Sequence, residues 1–166
     1  MQDHPLPPIW DAESRALILG SFPSVRSRAQ GFYYAHPQNR FWRVLSSVYD
    51  EPLPEGIPEK EAFLHRHGLA LWDVVGRCEI AGSSDATIRR AQPNDLTPLL
   101  SGAKLEAVFL NGQTAARLYA RWQSQIPLPA RTLPSTSPAN ASWTLPRLVE
   151  AWQALALTPS TGGFFR

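Results

Sequence analysis

Cysteine and lysine are scarce in this chain, and each scarcity narrows its chemistry. Of 166 residues one is cysteine, Cys78, and only Lys60 and Lys104 are lysines. A single thiol excludes an internal disulfide framework, a four-cysteine zinc site and a Cys-ligated iron–sulfur cluster. Its expected place is in the core, as a small hydrophobe. The four histidines, His4, His36, His65 and His67, form no metal-ligand constellation. His65 and His67 lie two apart on an expected helix and so face different sides. No apolar run approaches the roughly 20 residues that a membrane helix needs. Met1-Gln-Asp-His-Pro5 is polar, without the apolar core of a signal peptide. A paired-carboxylate signature and the Gly-rich phosphate loops of Walker or dinucleotide type are also lacking. No metal and no cofactor is expected, and a soluble, cytoplasmic protein is.

The length is that of one domain, with residues 1–10 and 158–166 expected as peripheral tails. Ile9 and Trp10 are expected to tuck against the body. The formal net charge is only +2, but nearly all the basic side is arginine. Arginine suits bidentate and stacked contacts with phosphates and bases, so nucleic acid is a permitted partner. A composition rich in Ala, Pro and Arg throughout accounts for the bias equally well.

Arg15-Ala-Leu-Ile-Leu-Gly-Ser-Phe22 is a continuous apolar run closed by Gly20 and Pro23, the pattern of a strand buried on both faces. Leu69–Val75, Leu105–Gly112 and Ala130–Leu133 supply three further strands. Helices are expected at 39–49, 59–67, 95–100, 114–125 and 144–155, from apolar positions at helical spacing. Ser24–Gln30 reads as a polar exposed loop. Residues 77–94 read as a long irregular one, a feature more often functional than decorative. Strands alternating with helices imply right-handed crossovers and a three-layer α/β/α domain around a four-stranded parallel sheet. Ligands of such sheets sit outside the carboxyl ends of the strands. Gly20 to Ser24, Gly76 to Asp85, Asn111-Gly112 and Pro134 to Asn140 all fall at that edge.

The stretch Gly31-Phe-Tyr-Tyr-Ala-His-Pro-Gln-Asn-Arg-Phe-Trp42 concentrates aromatic and polar groups before a helix expected to start at Asn39, a favoured N-cap. Such a loop can hold a flat heterocycle, and it can equally be an aromatic core loop. Asn111 at a strand end can read an amide-like base edge, or serve the turn before Gly112. Ser135, Thr136 and Ser137 offer hydroxyls and amides to a phosphate, and Pro138-Ala-Asn140 a wedge for a groove. Asp85 and His36 are the only ionisable groups expected near the crevice, and Asp85 counts for chemistry only if buried.

Four segments in order carry a resemblance: Gly20-Ser-Phe-Pro-Ser24, Tyr34-Ala-His-Pro-Gln-Asn-Arg-Phe-Trp42, Asn111-Gly-Gln-Thr-Ala115 and Leu133-Pro-Ser-Thr-Ser-Pro-Ala139. Together they resemble the uracil-DNA glycosylase superfamily. The second is similar to the mismatch-specific uracil-DNA glycosylases. The Gly-Ser-Phe-Pro-Ser form and the Ser-Thr-Ser-Pro loop are closer to the hypoxanthine-DNA (deoxyinosine) glycosylase branch. The resemblance implies a monofunctional, nucleoid-associated enzyme of base excision repair that flips a deaminated or mispaired base from DNA, and a monomer is the default expectation. It implies Asn39 as the catalytic residue, and base binding by Gly20, Ser21, Phe22, Pro23, Ser24, Tyr34 and Asn111. Ser135, Thr136, Ser137, Pro138, Ala139 and Asn140 form the implied DNA-binding loop. Two positions depart from the pattern. Phe22 stands where the superfamily usually has a water-activating Asp or Asn, and Leu133 where a His or Asn often opens the last motif. Hypoxanthine is therefore the favoured base. Uracil or mismatch excision is the alternative, as is a non-catalytic nucleic-acid-binding module of the same fold.

Overall fold

Four short apolar strands make the central sheet. In the computed structural model, which describes residues 1–157, β2 (Ala16–Gly20), β3 (Leu69–Asp73), β6 (Ala107–Asn111) and β7 (Ala130–Leu133) are all parallel, in the order β3-β2-β6-β7. Alternation along the strands feeds two cores. Leu17 and Leu19 of β2 join Val108 and Leu110 of β6 against α4 (Thr97–Gly102) and α5 (Gln113–Gln123), through Leu99, Ala115 and Leu118. Ile18, Leu71 and Phe109 face the other way. There they meet Phe41 and Leu45 of α2 (Phe41–Val48), Phe63 of α3 (Ile57–Arg66), and Leu148 and Trp152 of α6 (Leu145–Ala156). Each such side chain, fully buried, is worth about 1.5–3 kcal/mol. The expected three-layer architecture is borne out.

Three expectations need correction. Residues 77–94 are not irregular: β4 (Val75–Glu79) pairs antiparallel with β5 (Arg89–Pro93) across a 3₁₀ turn at Asp85–Thr87. Only Val74 separates β3 from β4, so the chain leaves the parallel sheet and starts a second one almost at once. Gly76 lies inside β4 rather than ending a strand, because a Cβ there would stand 2.7 Å from Asn94 Oδ1. Ser24–Gln30 is not a loop. Ser24 caps α1 (Val25–Gln30), its hydroxyl accepting from Ser27 N–H, and Gly31 at φ 75° stops the helix.

The third correction concerns the amino terminus, which is no peripheral tail. β1 (Gln2–Asp3) pairs with β4, and Ile9 bridges Leu71. Leu6 is buried, and its carbonyl accepts from Trp72 Nε1 at 3.2 Å. Residues 158–166 lie outside the described residues.

Candidate active site

Gly20, Asp73, Asn111 and Leu133 end the four parallel strands side by side, and the loops beyond them enclose one cleft of about 1160 Å³. That exceeds the roughly 300–1,000 Å³ of an ordinary small-molecule site, so it has room for a nucleotide and part of its strand. The residues that the four motifs mark line it: Gly20 to Ser24, Tyr34, Asn39, Asn111, and Ser135 to Asn140; of the stretch Gly76 to Asp85 only Ser83, Ser84 and Asp85 do.

Asn39 does not begin its helix, which starts at Phe41, but it secures that start. Its Oδ1 accepts from Phe41 N–H and from Thr136 Oγ1, both at 2.9 Å. A backbone N–H can only donate, so this oxygen is fixed as the carbonyl. The Nδ2 amide makes no hydrogen bond among the described residues. Asn39 therefore presents donors, not an acceptor, to the cleft.

Tyr34 adopts φ 53°, a region that L residues rarely occupy, and stacks on Phe41 with ring centroids 4.0 Å apart. One face is thus taken, and among the described residues no other aromatic ring covers the second. Burial, with the Asp73 carboxylate as a lesser cause, pushes the Tyr34 hydroxyl far above its ordinary pKa. The hydroxyl accepts from Asn111 Nδ2 at 3.1 Å, which leaves its own proton to donate elsewhere.

Asn111 reaches the cleft with its amide already engaged. Nδ2 donates to Tyr34 and to Thr136 Oγ1, and Oδ1 accepts from Thr136 N–H, all at 3.1 Å. Both donors are spent and one lone pair remains. Thr136, although in the expected DNA loop, is wholly buried and links Asn111 to Asn39. The hydroxyls that remain on the loop face belong to Ser135 and Ser137.

Two carboxylates also line the cleft. Asp73, 3% exposed, closes β3. His4 Nδ1 accepts from Leu6 N–H, so the ring proton sits on Nε2, which donates to Asp73 Oδ2 at 2.8 Å. The imidazole thus donates to the carboxylate from the side opposite its own backbone contact. Asp73 Oδ1 receives no hydrogen bond among the described residues. A Cβ at Gly20 would lie 2.5 Å from that oxygen and 2.8 Å from the Tyr34 hydroxyl, so only glycine lets both approach. Asp85 belongs to a solvent-facing turn, yet its carboxylate turns in to accept from Ser21 Oγ at 2.7 Å. Desolvation pushes its pKa up against the Ser21 hydrogen bond, with Asp73 reinforcing and Arg117 opposing.

Asp73, which lines the cleft, and its partner His4 are the groups that motif reading misses. Asp73 had a signal: a lone charge closing the apolar run Leu-Ala-Leu-Trp-Asp-Val-Val. His4 had none, because its partner lies 69 positions away.

An open α/β sheet whose strand ends meet in a cleft of amides, an aromatic shelf and a buried carboxylate is the arrangement in which α/β proteins bind a ligand. A profile of the "Uracil DNA glycosylase superfamily" matches residues 7–156, and the chain belongs to that superfamily. It is 32% identical over 151 residues to the hypoxanthine DNA glycosylase of Methanosarcina acetivorans, covering 90% of this chain and 94% of that protein. It is 34% identical over 115 residues to the hypoxanthine DNA glycosylase of Methanosarcina barkeri, covering 68% and 73%. The G/U mismatch-specific uracil DNA glycosylase of Schizosaccharomyces pombe is 32% identical over 84 residues, 48% of this chain and 24% of that one. A solution NMR structure of a candidate uracil DNA glycosylase from Methanosarcina acetivorans superposes with a TM-score of 0.77 at 28% identity, covering 91% of this chain and 96% of that one. The family resemblance carried by the four motifs is borne out.

Proposed function

We propose that the chain is a DNA glycosylase that hydrolyses the N-glycosidic bond of a deaminated base, with hypoxanthine the favoured one. The observation that carries the reading is the convergence of Asp73 Oδ1 and the Tyr34 hydroxyl over Gly20. Deamination turns a ring nitrogen into an N–H beside a carbonyl. A carboxylate oxygen accepts that N–H, and a protonated tyrosine donates to the carbonyl. Adenine and cytosine present the reverse, a ring lone pair toward the carboxylate, and an amino group toward a donor. Buried groups left unpaired make such rejection strong. Uracil shares the same edge as hypoxanthine, which fits the likeness to both kinds of relative.

In this scheme the flipped base enters edge-on, its N–H toward Asp73 Oδ1 and its carbonyl toward the Tyr34 hydroxyl. As the C1′–N bond breaks, its electron pair goes to the base, and the sugar becomes an oxocarbenium-like cation. The Tyr34 hydroxyl, donating to the carbonyl, stabilises the anion that leaves, and the carboxylate of Asp85 on the cleft wall favours the cation. Asn39 Nδ2 donates to a water and leaves a lone pair of that water to attack C1′. The water's proton passes to solvent or to Asp85. Asn39 itself cannot take it, since its oxygen is filled and its amide does not titrate.

The test is release of base from otherwise identical oligonucleotides carrying deoxyinosine, deoxyuridine or deoxyadenosine at one position. Hypoxanthine release without adenine release is expected. No release from deoxyinosine, or adenine freed as fast as hypoxanthine, would overturn the reading.

A further inference from the structure

Arg40 stands beside Asn39 but does not line the cleft. Its half-buried guanidinium is spent on the back of the DNA-facing loop. Nη1 donates to the Trp143 carbonyl, and Nη2 to the carbonyls of Ser137 at 3.1 Å and Asn140 at 3.2 Å. The Arg40 backbone N–H adds a bond to the Thr136 carbonyl at 3.1 Å. From Ser137 to Asn140 the loop contributes nothing to either core cluster. Its other bonds stay within the loop: Asn140 N–H to the Ser137 carbonyl, Trp143 N–H to the Asn140 carbonyl, Asn140 Nδ2 to the Ser135 carbonyl at 3.0 Å, Ser137 N–H to Ser135 Oγ and Ala139 N–H to Ser137 Oγ, both at 3.1 Å. Among the described residues, the Arg40 side chain thus ties the segment to the body where a hydrophobic anchor would otherwise do so. The adjacent residue, Asn39, is tied to the same segment through Thr136.

We propose that Arg40 is a positioning residue, one that holds the loop of Ser137 to Asn140 rigid so that it can displace a paired base. This rests on the base-release reading above. Pressing a loop into a duplex costs unstacking energy, and only a loop ordered beforehand can supply it without first paying for its own ordering. A planar fork meets three carbonyls at once; lysine, a point charge on a flexible stem, satisfies at most part of the set. The role belongs to extrusion and not to bond cleavage, which makes it separable.

The experiment uses Arg40→Lys beside the wild type, with folding checked by thermal unfolding. Hypoxanthine release is measured from deoxyinosine paired with deoxycytidine in a duplex, and from the same deoxyinosine in an unpaired bubble. On the duplex, kcat/KM should fall by about tenfold or more, whereas on the bubble, where extrusion is nearly free, it should stay within about twofold. Equal loss on both substrates would overturn the proposal, because it would place the defect in Asn39 or the fold. No loss on the duplex would overturn it as well. A duplex containing a stable abasic-site analogue gives a readout independent of catalysis, and Arg40→Lys should bind it about tenfold more weakly. Should the wild type release no base at all, that weakening would uphold the loop role while the glycosylase reading fails. Unchanged binding would sink the loop role too.

Discussion

At the scale of single residues, hydrogen-bond capacity assigns roles that residue type alone leaves open. Asn111 reads from the sequence as a base reader; its donors are consumed by Tyr34 and Thr136, so what it still offers to a base is one acceptor lone pair. Asp73 offers at the cleft floor an oxygen that receives no hydrogen bond among the described residues, and its one sequence signal is that it is the lone charge in an apolar run. Asp85 allows a prediction from charge. Its folded pKa is raised, so the protonated carboxyl is the form the fold favours. That contribution is present below the ordinary carboxylate range and is lost as pH rises through the raised value. Asp85→Asn cannot ionise and keeps an acceptor for Ser21. It is therefore predicted to unfold at a higher temperature than the wild type near neutral pH. The gap should narrow as pH falls below the ordinary carboxylate range. Thermal unfolding across pH checks this, and lower stability of the variant at neutral pH would contradict it.

Elements differ in how plainly the sequence announces them. β2, β3 and β6 are visible because strands of a covered parallel sheet are continuous apolar runs, and their lengths exclude helices. α1 is invisible because it buries only Ser27, so no apolar period marks it, and its cap must stand in for one. The β4–β5 hairpin is invisible for a related reason: β5 buries no side chain, and register shifts break the alternation. The amino-terminal segment is hidden by its prolines, which suggest a tail, although Leu6 fills the core and His4 completes Asp73. Leu6→Ala should cost about 2–5 kcal/mol, as for a core leucine. A truly peripheral leucine would cost about 0.5 kcal/mol or less. Denaturant unfolding distinguishes the two.

Across the whole molecule, the four motif segments lie far apart in sequence and meet because parallel strands must return to the same edge. The place of the site was therefore legible before its wiring. Thr136 illustrates the difference: its position in the last motif marks a DNA contact, while its burial makes it the hinge pin between Asn39 and Asn111. The central claim is that this edge cleaves a glycosidic bond with a water held by the free amide of Asn39. Single-turnover release of hypoxanthine from a deoxyinosine duplex, by the wild type and by Asn39→Ala, tests it most directly. The account predicts release by the wild type and a loss of roughly a hundredfold or more in the variant, the scale for removing one preorganised donor. A variant as fast as the wild type, or a wild type that releases nothing, would contradict it.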